Sequence, residues 1–252
     1  MIGPVTPSGG LKPGKAGSGG RLPLRAHGHL EVTERDLEIL AWVTRHGLVT
    51  VEQIASRFFP TSSGLSAAFQ RVRKLATASP PLLRRDRTHY REPSVIRVTT
   101  HGARLANVGS PGPTLGPARL ILAEVHHSLG IVDLTEELLK AHPDAVLTTE
   151  RERRAERHAQ KRSGQRKGTG RIPDAVLTLP ALGGKAEQSV AVELDRSPRT
   201  QRDIEAIVRA YNAERYTDVW WYVRPRRVAH VREVIQKLRA SDFIEVRPWQ
   251  GR

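Results

Sequence analysis

Residues 189–200, SVAVELDRSPRT, combine an apolar alternation with an acidic end. Val190 and Val192 fall on one face of a predicted β-strand, and Glu193 and Asp195 fall on the other. Carboxylates at a strand end can bind a divalent cation, and they can equally be ordinary solvent-facing residues before a turn. The stretch therefore predicts a strand and leaves open whether the protein is an enzyme.

The segments on both sides predict that this strand belongs to a mixed α/β sheet. The alternating segment IPDAVLTL (172–179) precedes it across a Gly-containing turn, which favours a β-hairpin. Helical spacing predicts a helix before the pair, within residues 118–141, either as one long helix or as two helices broken near Gly130. Further strands are predicted at 144–150, 217–223 and 243–249. The predicted order of elements in residues 118–252 is αβββαβαβ.

Four carboxylates fall at the ends of these predicted strands. Asp174 stands at the start of one strand, Glu193 and Asp195 at the end of its neighbour, and Glu150 at the end of the strand before them. Hard divalent cations such as Mg²⁺ bind carboxylate oxygens together with water. Acidic residues also flank turns without any such role, so the spacing permits a metal site without establishing one.

Residues 151–171 form a strongly basic run, with nine Lys and Arg against two Glu. Such a run is typical of a solvated loop or a frayed helix. Its position between two predicted strands also fits an insertion that contacts DNA, and the sequence leaves both interpretations open.

Two other groups of residues predict packing rather than chemistry. Adjacent His126 and His127 point about 100° apart on a helix, so we expect core or surface roles rather than chelation. Trp220, Trp221 and Tyr222 could stack on bases, but in a strand they alternate between faces and are expected in the core.

The N-terminal part of the chain predicts two helices with clear starts. Thr33 is a predicted N-cap with Asp36 in the first turn, and Gly47 ends that helix. Thr50 begins the second helix, with Gln53 as its capping-box partner.

A third helix is predicted after a short turn, over residues 65–78, and its outer side is basic. Its predicted apolar face consists of Leu65, Ala68, Phe69, Val72 and Leu75. A strand, a basic turn, a second strand and a closing helix that starts at Thr99 or Thr100 follow. Three helices, a hairpin and a helix are the order of a winged helix-turn-helix.

We expect this unit, residues 31–108, to bind double-stranded DNA. It carries twelve Lys and Arg against seven Asp and Glu. In a winged helix the third helix enters the major groove and the hairpin touches flanking phosphates. The predicted DNA contacts are Ser66, Gln70, Arg71, Arg73, Lys74, Arg84, Arg85 and Arg87. The alternative is a winged helix that serves protein contacts or dimerisation.

The composition also favours a polyanionic partner. The 252 residues carry a net charge of +15 and an isoelectric point near 11, which fits nucleic acid, with an anionic membrane surface as the rival interpretation. Hydrophobic residues make up 38% of the chain, enough for a core, and no stretch approaches the ~20 apolar residues of a membrane span. Cysteine is absent and no signal segment is recognisable, so we expect a cytoplasmic protein without thiolate chemistry.

Shifts in composition divide the chain into four parts. Residues 1–30 are basic and rich in Gly and Pro, and they predict a flexible tail. The Gly- and Pro-rich stretch 109–117 predicts a linker between the winged helix at 31–108 and a second domain at 118–252.

The acidic pattern resembles that of the PD-(D/E)XK nuclease superfamily. Its signature is Pro-Asp followed downstream by an acid, one residue and Lys; Pro173, Asp174 and Glu193 match it, and Asp195 stands in place of the lysine. The resemblance implies an αβββαβ, restriction-endonuclease-like mixed sheet. It also implies Mg²⁺ bound by Asp174 and Glu193, with Glu150 and Asp195 as auxiliary catalytic residues.

The replacement of the lysine by Asp195 removes a positive charge that would orient the attacking water and stabilise charge on the phosphate. Arg196, Arg199 or Arg202 could supply that charge, although on a strand Arg196 points to the opposite face from Asp195. The second domain is therefore either an active nuclease or a nuclease-like scaffold that has kept its acids for structure or for DNA binding.

Taken with the predicted winged helix, residues 31–247 resemble the replication-relaxation family of plasmids and other mobile elements. The resemblance rests on VTERDLEIL (32–40), RIPDAVLTL (171–179), VELDRSPRT (192–200) and the helix that ends in Tyr211. It implies an α/β protein that binds DNA in plasmid replication, relaxation or conjugative transfer, with a relaxase or replication protein as partner and a homodimer left open. Two other functions stay open: a metal-dependent DNA endonuclease or nickase, and a transcriptional repressor whose second domain dimerises or senses a ligand.

Overall fold

The computed structural model describes residues 25–26, 30–88, 94–109, 112–164, 170–181, 186–197, 199–212 and 216–251. We call residues 30–109 the N-terminal half and residues 112–251 the C-terminal half. The fold is α/β, with eight α-helices and three sheets in the described part of the chain.

The N-terminal elements follow the predicted order of three helices, two strands and a helix. In chain order they are β1 Arg25–Ala26, β2 Leu30–Glu31, α1 Glu34–His46, β3 Val49–Thr50, α2 Val51–Phe58, α3 Gly64–Ala76, β4 Leu83–Asp86, β5 Val95–Val98 and α4 Thr100–Ala106. The predicted capping box of Thr50 and Gln53 is present, and the predicted N-cap Thr33 forms a second capping box with Asp36: each threonine hydroxyl accepts the backbone amide three residues on, and that residue's side chain bonds back. Gly47 ends α1 with a positive φ of 85°, which favours glycine.

One small sheet and three helices share the N-terminal core. The sheet is antiparallel, in the order β3-β5-β4. Ile39 of α1, Ile54 of α2 and Leu75 of α3 pack together with the strands in a single buried cluster. The third helix is therefore held with one face inward and its basic face outward.

The inward face of α3 is narrower than the sequence predicts. Three predicted positions are buried: Ala68, Val72 and Leu75. The other two, Leu65 and Phe69, are 46% and 39% exposed, so the prediction that they belong to the core is wrong. The helix begins at Gly64, which lies so close to the Phe59 carbonyl that a Cβ would overlap it. The neighbouring helices and strands cover Ala68, Val72 and Leu75 and leave Leu65 and Phe69 uncovered.

The C-terminal elements follow the predicted αβββαβαβ order with one added helix. In chain order they are a 3₁₀ turn Leu122–Glu124, α5 Val125–Ala141, β6 Val146–Thr149, α6 Glu150–Arg162, β7 Ala175–Leu179, β8 Gln188–Asp195, α7 Gln201–Asn212, β9 Asp218–Val223, a 3₁₀ turn Pro225–Arg227, α8 Val228–Lys237 and β10 Ile244–Pro248. The added helix is α6. Helix α5 runs unbroken through Gly130, so the alternative of two helices is wrong.

The five C-terminal strands form one mixed sheet in the order β6-β7-β8-β9-β10. Strand β7 is antiparallel to both neighbours, and β8, β9 and β10 are parallel. Ala175 at the start of β7 pairs with Thr149 at the end of β6 and with Val192 near the end of β8. The end of β6, the start of β7 and the ends of β8 and β9 therefore lie along one side of the sheet, which we call the carboxyl edge.

Helices cover both faces of this sheet. Val192 and Leu194 pack in a cluster with α5, whereas Ala191 packs with α7 and α8 on the opposite face. Trp220 joins the first cluster and Trp221 the second, which confirms that these aromatic residues alternate within the core. Side chains on both faces of β8 therefore pack against helices.

The basic run begins with a helix, which is one of the structures that the sequence left open. The strand predicted at 144–150 ends at Thr149, and Glu150 begins α6. Thr149 caps this helix, with Glu152 bonding back in a capping box. Of the two structures left open for the run, a solvated loop or a frayed helix, residues 150–162 form a helix, and none of them is buried.

Polar contacts join the two halves. The Nε of Arg45 on α1 lies 2.7 Å from Oε1 of Glu152 on α6. The amide of Gln53 on α2 donates to the Leu129 carbonyl of α5 at 2.9 Å and to Asp133 at 2.7 Å. These bonds fix the position of α1 and α2 against the C-terminal sheet.

Most of the predicted flexible tail, residues 1–30, lies outside the described residues. Its described part includes Arg25 and Ala26, which pair as β1 with β2. The predicted linker at 109–117 contains no helix or strand where it is described. Over the ranges that the structure covers, no helix combines the length and apolar character needed to cross a bilayer.

Candidate functional site

Three of the four predicted acids meet at the carboxyl edge. The Glu150 amide donates to the main-chain carbonyl of Asp174 at 3.2 Å, and the amide of Leu194 donates to Oδ2 of Asp174 at 2.8 Å. Glu193 precedes Leu194 on the same strand. Because β7 runs antiparallel to its neighbours, the start of one strand meets the ends of two others. Glu150, Asp174 and Glu193 are therefore the acidic cluster of this site.

Asp174 is held by His127, for which the sequence predicted only a core or surface role. Nε2 of His127 on α5 lies 3.1 Å from Oδ1 of Asp174. This hydrogen bond raises the pKa of His127 against the opposing effect of burial, and the charges of Asp174, Glu193 and Glu150 act in the same direction. The expectation of a core or surface role for His127 therefore missed its place in the acidic cluster.

Glu193 is enclosed by two donors, one from the segment before β7 and one from α7. Arg171 forks its carboxylate, with Nε–Oε1 at 2.8 Å and Nη2–Oε2 at 3.0 Å, and the Tyr211 hydroxyl of α7 donates to Oε1. Burial raises the pKa of Glu193 to about 7, and the charge of Asp174 adds to the rise while Arg171 opposes it. Burial and the charge of Glu193 also raise the pKa of Tyr211. A carboxylate this buried would destabilise the folded protein if it lacked these donors.

Glu150 completes the cluster at the first residue of α6. Its Oε1 lies 2.6 Å from Nη2 of Arg154, one turn along the helix. Burial raises the pKa of Glu150 although Arg154 opposes the rise. Each of the three carboxylates therefore has its own basic partner: Arg154, His127 or Arg171.

Asp195 has a separate set of partners at the end of β8. Its Oδ2 lies 2.9 Å from Nη1 of Arg227 and 3.2 Å from Nε of Arg199. Its Oδ1 is buried and has no hydrogen-bond partner among the described residues. Arg199 was one of the three arginines expected near this position, whereas Arg227 was not. Arg196 instead donates to the His126 carbonyl.

The donors around the acidic cluster do not fit a divalent cation. Both oxygens of Glu193 accept bonds from Arg171, and the two oxygens of Asp174 face a backbone amide and His127. Within the described ranges, no group of three or more His, Asp or Glu side chains is placed to hold a metal ion. A magnesium ion bound by Asp174 and Glu193, as the nuclease resemblance implies, would have to displace this arrangement.

Arginines gather beside the acids on the same edge. Because β8 and β9 are parallel and Asp195 pairs with Val223, the loops that follow the two strands lie next to each other. Arg227 spans them by donating to the carbonyl of Ser197 at 2.6 Å. The six arginines of these two loops and the adjoining helix starts are Arg196, Arg199, Arg202, Arg224, Arg226 and Arg227.

The predicted DNA contacts of the N-terminal half lie on α3, β4 and the residue after β4. Seven of the eight are exposed: Ser66, Gln70, Arg73, Lys74, Arg84, Arg85 and Arg87. Gln70, Arg73 and Arg85 border one groove of about 290 Å³, with Phe69 in its lining. Arg84 forms an ion pair with Asp86, in which Nε lies 2.8 Å from Oδ1. Two elements therefore bring their polar side chains to one surface, which we call the α3–β4 surface.

Arg71 lies apart from this surface. Its guanidinium bonds both oxygens of Asp36, a residue that is 1% exposed, and also donates to the Glu31 carbonyl at 3.0 Å. Although burial opposes it, hydrogen bonds from Arg71 and Thr33 lower the pKa of Asp36. The side chain of Arg71 is thus committed to joining α3 to the start of α1.

The site contains residues that sequence reasoning missed. His127, Arg171 and Arg227 lie on α5, before β7 and before α8, and no spacing rule connects these positions with Asp174, Glu193 or Asp195. One weak signal was available for Arg171, which stands in the quoted RIPDAVLTL motif three residues before Asp174. The pairing of acids with bases follows from the sheet topology rather than from local sequence.

Comparison with protein-family models gives one result for this chain. The model of the replication-relaxation family matches residues 40–244, which is most of the chain and includes the acidic cluster and the α3–β4 surface. Comparison with curated proteins and with solved structures gives no significant match. The extent of the family match shows that the chain belongs to the replication-relaxation family.

Proposed function

We propose that this protein binds double-stranded DNA during the replication or relaxation of a plasmid or other mobile element. Membership of the replication-relaxation family suggests a role in those processes. The net charge of +15 supports a polyanionic partner, because cationic side chains release counterions when they neutralise phosphates.

The N-terminal half is proposed to be a winged helix that docks α3 in the major groove. The order of helices and strands, with the antiparallel β4–β5 pair after α3, supports this assignment. The single observation that carries the proposal is the α3–β4 surface, where Gln70, Arg73 and Arg85 border one groove. Neither arginine has an ion-pair partner in the described residues, so both can bind phosphates or base edges.

The C-terminal half is proposed to be a nuclease-like domain that binds DNA without metal-dependent cleavage. Its five-stranded sheet, with β7 antiparallel and the acids at one edge, supports the likeness to the PD-(D/E)XK fold. The pairing of Glu193 with Arg171, and of Asp174 with His127, speaks against a cation there. The arginines of the carboxyl edge offer phosphate contacts in its place.

The test of DNA binding is fluorescence anisotropy with three duplexes at several salt concentrations. The duplexes come from the replication or transfer origin of the element, from the promoter of the protein's own gene, and from unrelated DNA. We expect the tightest binding at the origin. Binding confined to the promoter would favour the transcriptional repressor instead, and no salt-sensitive binding to any duplex would overturn the proposal.

Variants at the α3–β4 surface give the control. Arg73→Ala combined with Arg85→Ala should weaken binding strongly. Arg209→Ala combined with Lys237→Ala removes the same charge from pairs on α7 and α8 and should leave binding nearly unchanged. Equal losses in both double variants would mean that only net charge matters.

The test of cleavage is nicking of supercoiled plasmid with Mg²⁺ or Mn²⁺. We expect no nicking by the native protein beyond that of the Asp174→Ala and Glu193→Ala variants. Nicking by the native protein that both variants lose would make it a metal-dependent nickase and overturn this part of the proposal.

A further inference from the structure

The position of Arg171 relative to the acidic cluster has a consequence beyond DNA binding. We propose that the Arg171 guanidinium occupies the place of a divalent cation between Asp174 and Glu193, so that removing its side chain creates a cation site that the native protein lacks. The inference concerns the protein without DNA, so it does not depend on the proposed function.

The geometry around Glu193 carries the first step. Both carboxylate oxygens accept the two parallel bonds of the Arg171 fork, at 2.8 and 3.0 Å, and Tyr211 adds a third donor at Oε1. A bidentate fork satisfies a carboxylate in the plane where a metal would also bind. Glu193 is 2% exposed, so no second approach from solvent is open. A cation can reach this carboxylate only if the guanidinium leaves.

Charge balance carries the second step. Glu150, Asp174 and Glu193 bring three carboxyl groups together, and wherever these are ionised away from solvent they need compensating positive charge. Arg154 lies 2.6 Å from Glu150 and His127 lies 3.1 Å from Asp174. Arg171 compensates Glu193 with a charge that is not lost at any ordinary pH. Each carboxylate of the native cluster therefore already has a basic side chain as its partner.

The removal of Arg171 changes this balance in a defined way. Glu193 would then keep only the Tyr211 hydroxyl as a donor, while the nearby Asp174 keeps the Leu194 amide and His127. Two carboxylates that share a site favour a divalent cation, and Mn²⁺ prefers oxygen ligands of this type. When the side chain is shortened to alanine, the volume that the guanidinium occupied becomes free for the ion and its water. We expect Mn²⁺ to bind there.

The experiment is a calorimetric titration of the full chain with MnCl₂, beside a thermal unfolding scan with and without MnCl₂. The native protein should show no stoichiometric binding and no Mn²⁺-dependent rise in melting temperature. Arg171→Ala should bind one Mn²⁺, at least about tenfold more tightly than any residual association with the native protein, because a full opposing charge has left contact distance. Its melting temperature should rise with Mn²⁺, since a ligand that binds only the folded state stabilises it.

Three further variants keep the result interpretable. Adding Glu193→Gln to Arg171→Ala should abolish the new binding, which places the ion at this carboxylate. Arg209→Ala removes an exposed arginine that is paired with Glu205 and should behave as the native protein does. Arg171→Gln is the second test variant, used if the alanine variant does not fold, because glutamine keeps part of the volume and a donor.

Two results would overturn the inference. One is a native protein that binds one Mn²⁺ and loses it in Asp174→Asn or Glu193→Gln. The other is a folded Arg171→Ala or Arg171→Gln protein that binds no Mn²⁺, which would mean that Arg171 does not stand in a cation position.

Discussion

The indole Nε1 of Trp42 donates a hydrogen bond to Oε1 of Glu136 over 3.1 Å, which ties α1 to α5 across the two halves of the protein. The same carboxylate accepts Nη1 of Arg57 from α2, at 2.7 Å. One acid of the C-terminal half thus binds two helices of the N-terminal half.

Removal of this acid should loosen the contact between the halves. Glu136→Ala leaves the buried Trp42 N–H without its acceptor, so we expect the free energy of unfolding to fall by about 1–2 kcal/mol. Urea denaturation followed by tryptophan fluorescence measures this fall. Glu137→Ala, which removes the exposed neighbouring acid, should change it by less than about 0.5 kcal/mol. Equal effects of the two variants would contradict the bridging role of Glu136.

Arg71 and Arg73 lie on the same helix, but replacing them should have different effects: loss of Arg71 should lower stability, and loss of Arg73 should weaken DNA binding. Arg71→Ala leaves the buried carboxylate of Asp36 without its cation, so we expect a loss of about 2–3 kcal/mol in stability. Arg73→Ala removes an exposed side chain and should cost less than about 0.5 kcal/mol while it weakens DNA binding. Chemical denaturation and anisotropy on the same samples make the comparison. A stable Arg71→Ala protein with lost DNA affinity would make Arg71 a DNA contact after all.

His46 should make the protein sensitive to acid. Its Nε2 is buried without a hydrogen-bond partner in the described residues, although the residue as a whole is only half-buried. Burial lowers the pKa of His46 to about 3, and the charges of Arg45, Arg57 and Arg151 act in the same direction. The unfolded chain therefore takes up a proton near pH 6.5 that the folded chain does not. Stability is fully present above that pH and falls as the pH drops from 6.5 towards 3.

The expected loss from His46 is about 1 kcal/mol for each pH unit within that window. Urea midpoints at pH 7 and pH 5 measure it, and His46→Gln should flatten the difference between them. His230→Gln, at an exposed position on α8, should leave the difference as it is in the native protein. An unchanged pH dependence in His46→Gln would show that another group causes the acid sensitivity.

The arginines of the carboxyl edge should contribute to the salt dependence of DNA binding. Arg224→Ala combined with Arg226→Ala removes two exposed charges from the loop after β9. If both contact phosphates, the slope of log K against log salt should become shallower by about 1–2, since each contact contributes about 0.9. Anisotropy with an origin duplex at several salt concentrations measures the slope. The Arg209→Ala and Lys237→Ala double variant should keep the native slope, and a shallower slope there would indicate a purely long-range effect.

Local signals predicted much of the secondary structure correctly. Thr33 is the N-cap, and Thr50 with Gln53 forms the capping box, that their positions indicated. The same rule applied to Thr149 and Glu152 would have predicted α6, which the high positive charge of residues 151–171 obscured. Leu65 and Phe69 show the opposite limit, because helical spacing cannot tell which apolar positions the neighbouring helix will cover.

The sequence by itself determined the order of helices and strands, the strand pair that carries Asp174 and Glu193, and the basic character of the surface. These properties depend on residues within about four positions of one another, or on the alternation of a strand. The tertiary structure decided which base meets which acid. Arg171 and Glu193 are 22 residues apart and His127 and Asp174 are 47 apart, and only the packing of α5 and β7 against β8 brings them within hydrogen-bond distance. The sequence predicted carboxylates at strand ends that permit a metal site, and in the folded chain three of them bond to the protein's own donors.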